Sequence, residues 1–193
     1  MGKANNHEIT FSGHQTFSAI AYQHHKHVER LVLERNTRQV KDDRDVDFIC
    51  AKNAAIQRSA MVSVIFSALT LEAFINNYAI ERFSRNYFDN HLDKLSPVSK
   101  CIVIPKLVTG NEINKDGQPY ERLKNLFKHR DKLVHYKTKK KKVSKITEEN
   151  DWVTENHSAD ALLTVKSILN ELSKVDTSVE TDWLESAESD PYA

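Results

Sequence analysis

The chain has 193 residues, 28% of them charged and 39% hydrophobic, and a formal net charge of +1. That is enough for one domain with a real core and too little for two large ones. A net charge this small provides no global field to draw in nucleic acid or membrane, so any polyanion binding must come from local patches.

Only four Gly and four Pro punctuate the sequence, which favours long helices over many short strands. Cys50 and Cys101 stand alone, without the spacing of a zinc site or a disulfide framework. The expectation is a reducing, cytoplasmic compartment and no metal or other cofactor. No signal segment opens the chain, and Glu72, Asn76 and Asn77 interrupt its longest apolar run, so no membrane association is expected.

In chain order, residues 1–15 are polar and read as a flexible lead-in. Residues 16–40 predict a first helix on Phe17, Ile20, Ala21, His24, Val28, Leu31 and Val32. His24, His25 and His27 cluster on it, but their spacing fits no structural zinc pattern, and a solvated helix face is the simpler reading. Residues 41–47, KDDRDVD, form a charged joint. A long second helix is predicted from about Val46 to Phe83. Its centre, residues 60–74, is apolar almost all the way round, the mark of a central buried helix. Glu72 is out of place on it, and Asn76 lies one turn further along. Residues 84–95 are polar turn material. Ser96-Pro97 is an N-cap followed by proline at the first helical position, opening a short helix that ends near Gly110. Residues 110–119 form a hydrophilic loop.

Residues 120–137, YERLKNLFKHRDKLVHYK, predict an amphipathic helix on Leu123, Leu126, Phe127, Leu133 and Val134. At about 100° per residue, Arg130 falls in the middle of that apolar arc and His135 about 140° further round, with Asp131 between them. An arginine on a core-facing arc is costly without a partner. Glu72 is the complementary anomaly, so the two are expected to meet, directly or through Asn76. Next, residues 137–145 hold six lysines in nine positions, Lys137, Lys139, Lys140, Lys141, Lys142 and Lys145. They read either as a phosphate-attracting patch or as a solvated connection. A last amphipathic helix is predicted over residues 158–175. The tail, 176–193, has six acidic residues and no basic ones; Trp183 and Leu184 are candidates to dock it, although its composition favours disorder. The fold class is all-α: an up-and-down bundle of four to five helices with one long central helix, spanning residues 16–175 as a single domain.

The run Arg130-Asp131-Lys132-Leu133-Val134-His135 resembles the R-x(4-6)-H motif of the HEPN superfamily (higher eukaryotes and prokaryotes nucleotide-binding domains), in which a polar residue commonly follows the arginine. Residues 67–76, SALTLEAFIN, resemble the family's central helix with its embedded glutamate. Residues 104–110, then Pro119-Tyr120, resemble its run-up, and the helix at 158–175 its closing helix. The resemblance covers roughly residues 50–175. It implies a metal-independent endoribonuclease of toxin–antitoxin or phage-defence systems, acting as a homodimer on an RNA substrate, with an antitoxin or other regulatory protein as a further partner.

On that resemblance Arg130, His135 and Asp131 are the catalytic candidates. Glu72 and Asn76 support them, and Lys132, Lys137, Lys139, Lys140, Lys141 and Lys142 bind RNA. Cleavage by the RNA's own 2′-OH needs a base, a cation for the phosphate and an acid for the leaving oxygen. One helix does not easily place positions i and i+5 side by side, whereas two copies related by a two-fold axis bring both pairs around one phosphate. Many relatives have Asn where Asp131 stands, and a carboxylate there repels phosphate. The alternative is a non-catalytic HEPN module that dimerises and binds a partner protein or nucleotide, with Arg130 and Glu72 as a structural pair.

Overall fold

The computed structural model describes residues 13–135 and 154–188. The regular structure among them is all helical: α1 (His14–Thr37), α2 (Asp43–Phe83), α3 (Arg85–Tyr87), α4 (Pro97–Thr109), α5 (Gln118–Val134), α6 (Glu155–Val175) and α7 (Trp183–Glu188), with a π-helical turn at Phe88–Leu92. Five of these are the expected bundle helices. The short α3 and α7 come from segments whose polar composition hides a helical turn.

α2 is the organising element. At 41 residues it is about 61 Å long, and it touches α1, α4, α5 and α6. It starts earlier than predicted, because the charged joint is itself a helix cap. The Asp42 carboxylate accepts from the Asp45 N–H at 3.2 Å, and Asp45 reaches back to the Asp42 N–H at 3.3 Å. Asp45 is only 5% exposed and also accepts from Arg38 Nε at 2.6 Å and the Lys41 N–H at 2.8 Å. Acids in a first helical turn face the positive end of the helix dipole, which is why a run that reads as a loop can nucleate a helix. At the other end Ser84 has φ 90°, a backbone region unfavourable for a residue with a side chain, and turns the chain into α3.

By length and composition α2 could cross a membrane: its most apolar window has a mean hydropathy of 1.5. Yet 56% of that window is buried inside the protein. Leu71 and Ile75 pack in one cluster with Val28 of α1, Ile104 of α4, Leu123 of α5 and Ile168 of α6. A helix surrounded on several sides needs apolar residues on several sides.

The acidic tail is packed as far as it is described. Leu184 and Ala187 are buried, and α7 lies against α1. Trp183 meets His14 at 4.6 Å and stacks on Phe74 at 6.0 Å between ring centroids. Glu188 accepts from the Tyr22 hydroxyl and pairs with Lys166 of α6. Three aromatic or aliphatic anchors and one well-partnered acid outweigh the tail's disorder-like composition. α1 itself begins at the buried His14, two residues before the predicted Thr16.

Candidate functional site

α5 opens at Gly117, with Pro119 in its first turn, where a missing N–H is harmless. Leu123, Leu126 and Phe127 are buried as the periodicity requires. Arg130 follows on the same arc with its side chain 20% exposed, and its Nη2 donates to Glu72 Oε2 at 2.8 Å. The pair anticipated from two misplaced charges is therefore present and direct. Arg130 also lies over the Phe127 ring at 5.6 Å. Its Nη1 donates to Asp131 Oδ1 at 2.9 Å, and its buried Nε has no hydrogen-bond partner. One guanidinium thus carries two carboxylates, one half-buried behind it and one on the surface.

Asn76 does not brace Arg130. Its Oδ1 accepts from Lys100 Nζ at 3.0 Å. Lys100 is only 3% exposed, stands 3.8 Å from an Asp93 oxygen and lies over the Phe88 ring at 5.0 Å. Consecutive turns of α2 therefore hold two cations, Arg130 of α5 through Glu72 and Lys100 of α4 through Asn76. Burial pushes the thiol of the neighbouring Cys101 up to about 12, with a further rise from Glu72 and a smaller opposing effect from Lys100. Cys101 is therefore an uncharged core side chain and no nucleophile. Lys100 was legible by the reasoning applied to Arg130, because a lysine four residues before the buried Ile104 falls on a core-facing arc.

His135 lies just past the helix. α5 ends at Val134, and His135 is its C-cap at φ −106° and ψ 35°, with its N–H bonded to the Asp131 carbonyl at 2.9 Å. The helix was predicted to continue to residue 137. Its last turn outruns the core, as Val134 at 54% exposure shows. His135 is exposed and borders an open depression, together with Val98, Lys124, Phe127, Lys128, Asp131 and Lys132. Arg130 is not among its lining residues. Asp131, which accepts from Arg130 Nη1, does line it, so the arginine reaches this surface through Asp131.

Lys132 is exposed on this rim. Lys124 and Lys128 precede it at four-residue spacing, giving three ammonium groups along one edge of α5. That spacing is readable in the sequence, although the denser lysine run downstream draws attention first. Lys137 and Lys139 to Lys142 lie outside the described residues.

Of the clustered α1 histidines, His25 and His27 have separate partners, and the buried Nδ1 of His24 has no hydrogen-bond partner. His25 Nδ1 meets Ser158 Oγ at 2.9 Å, and His27 Nδ1 meets Arg30 Nη2 at 2.6 Å. Among the described residues no group of three or more His, Cys, Asp or Glu is arranged to hold a metal ion.

Comparison with known proteins finds no match to a family model, a curated protein or a solved structure.

Proposed function

We propose that the protein is a HEPN-type endoribonuclease that cleaves RNA without a metal, by attack of the 2′-OH on the adjacent phosphate. The observation that carries this reading is a half-buried arginine, held from behind by Glu72 at 2.8 Å, five residues before an exposed histidine on a lysine-lined depression. Arg130 binds phosphate oxygens as a charge-assisted donor. His135 exchanges protons with the attacking 2′-oxygen and the leaving 5′-oxygen. Lys124, Lys128 and Lys132 gather the backbone. Because one helix does not easily bring positions i and i+5 side by side, the working site is completed by a second copy, whose Arg130 and His135 face the first pair across a two-fold axis. A cytoplasmic toxin or phage-defence setting fits this chemistry.

The composite site has a direct test. Specific activity should rise with protein concentration through the monomer–dimer range measured by sedimentation. Cleavage at full specific activity by a monomer would overturn the two-copy site.

A second reading rests on a separate observation. Both Nη groups of Arg130 are already bonded to carboxylates, which suits a structural ion pair in a non-catalytic module binding a protein or nucleotide. Phosphate reaches Nη1 only by displacing Asp131. On the ribonuclease reading, Asp131→Asn therefore raises RNA cleavage, by up to about tenfold, equivalent to ~1.4 kcal/mol. On the module reading it changes no cleavage at all.

A further inference from the structure

The cleft between α5 and α6 holds a second pair of imidazoles that the proposed site does not use. His129, the residue of α5 immediately before Arg130, faces His157 with ring centroids 4.5 Å apart and planes tilted by 57°. His157 is also the third residue of α6, and it closes that helix's first turn: its Nδ1 accepts from the Thr154 N–H at 3.1 Å and meets Thr154 Oγ1 at 2.8 Å. A backbone amide can only donate, so Nδ1 is the acceptor in this contact. Histidine thus fills the place that Glu or Gln takes in an ordinary capping box. A proton added to Nδ1 would remove the acceptor and put a cation at the positive end of the α6 dipole, opposite another imidazole.

Among the described residues the neighbouring acids are paired with basic partners. On α5 Lys128 and Lys132 flank His129. From α6 Asp160 faces it, but Asp160 is 3.4 Å from Arg122 Nη1, and Glu121 lies beside Arg122 on the cleft wall. Glu155, at the start of α6, is paired with Arg35 of α1 at 3.1 Å. α1 also places His25 on Ser158, and α2 contributes Val64 to the cleft lining. Burial holds the His129 imidazole below its ordinary value, reinforced by His157, Lys132 and Lys128 and opposed by Asp160.

We propose that the His129–His157 pair is a proton-operated clasp, which holds the first turn of α6 closed on α5 at neutral pH and opens it on mild acidification. The clasp ties α5 to the first turn of α6, and its His129 stands one residue from Arg130. It is therefore placed to couple pH to the packing of α6 beside Arg130. The clasp does not depend on the ribonuclease reading.

The test is hydrogen–deuterium exchange across residues 154–160 of the full-length protein, corrected for the intrinsic pH dependence of exchange. In the wild type, protection should fall roughly tenfold between about pH 7.5 and about pH 5.5. In His157→Gln, which keeps an acceptor at the capping position but does not titrate, protection should stay constant over the same range. His129→Gln keeps the cap and removes the facing charge, so its loss should be smaller than the wild type's. Nitrogen NMR of the wild-type imidazoles gives a check free of substitutions, and should find His157 Nδ1 unprotonated at neutral pH. Constant protection in the wild type, equal loss in His157→Gln, or a protonated Nδ1 would each overturn the clasp.

Discussion

Arg130, Glu72 and Asp131 define the residue-scale question, whether a guanidinium with two carboxylates is scaffold or chemistry. Its stability contribution is bounded by its exposure. With side chains 20% and 27% accessible, the Arg130–Glu72 pair is neither a surface contact nor a dry ion pair. Arg130→Ala should cost about 1–3 kcal/mol in urea unfolding, less than the 3–5 kcal/mol of a fully buried broken pair. Glu72→Gln should recover most of that loss when combined with Arg130→Ala, because the uncompensated carboxylate is then gone. A combined variant no more stable than Arg130→Ala alone would remove the pairing from the account. This much was legible in the sequence, since a charge on an apolar arc demands a partner and the chain offers few. The choice of Lys100 by Asn76 was harder to see. An amide is satisfied by any donor, so its position does not name its partner.

At the scale of elements, helix ends rather than helix interiors separate expectation from structure. The apolar periodicity located α1, α2, α4, α5 and α6. It missed that the acidic joint caps α2, because a capping box made of two aspartates reads first as charge. Asp42→Ala should lower stability by about 1 kcal/mol, seen as a shifted urea midpoint at unchanged slope. An unchanged midpoint would mean that the box at Asp42 and Asp45 is incidental. Periodicity also carried α5 past Val134, because angular position says nothing about where the core stops. The consequence for function is direct: His135 leaves the helix as its C-cap, so its direction is set by cap geometry and not by 100° steps.

At the scale of the whole molecule, the α7 anchor and the pH response are the testable features. Leu184 is buried against the main core, so Leu184→Ala should cost about 2–3 kcal/mol by the usual cavity cost for a core leucine. A truly loose tail would show no change in melting temperature. Composition misled here because six acids in eighteen residues outweigh one tryptophan and one leucine in any average, although those two residues make the contact. For pH, burial holds His14, His24, His25 and His129 below the ordinary imidazole value. The unfolded chain then binds more protons than the fold as pH drops through about 6.5. This stability is present above that value and is lost below it. Asp45 is lowered first by the Lys41 amide, and Asp176 first by the Ser178 hydroxyl. Both therefore add a further loss below about pH 4. Tyr22 and Tyr78 are raised, chiefly by burial. Stability should fall again above about pH 10, where the unfolded phenols ionise. A melting-temperature profile should show a plateau from about pH 7 to about pH 9 with a decline already under way at pH 5.5, and a plateau running flat to pH 5 would contradict the assignment of neutral buried histidines.

The central claim is that His135 moves protons in RNA cleavage. The most direct measurement incubates purified wild type and His135→Ala with RNA in EDTA and identifies the product ends, after circular dichroism has shown both proteins equally folded. The account predicts cleavage by the wild type alone, leaving 2′,3′-cyclic phosphate and 5′-hydroxyl ends. No cleavage by either protein, or equal cleavage by both, would contradict it and leave Arg130 and Glu72 as the ion pair of a binding module.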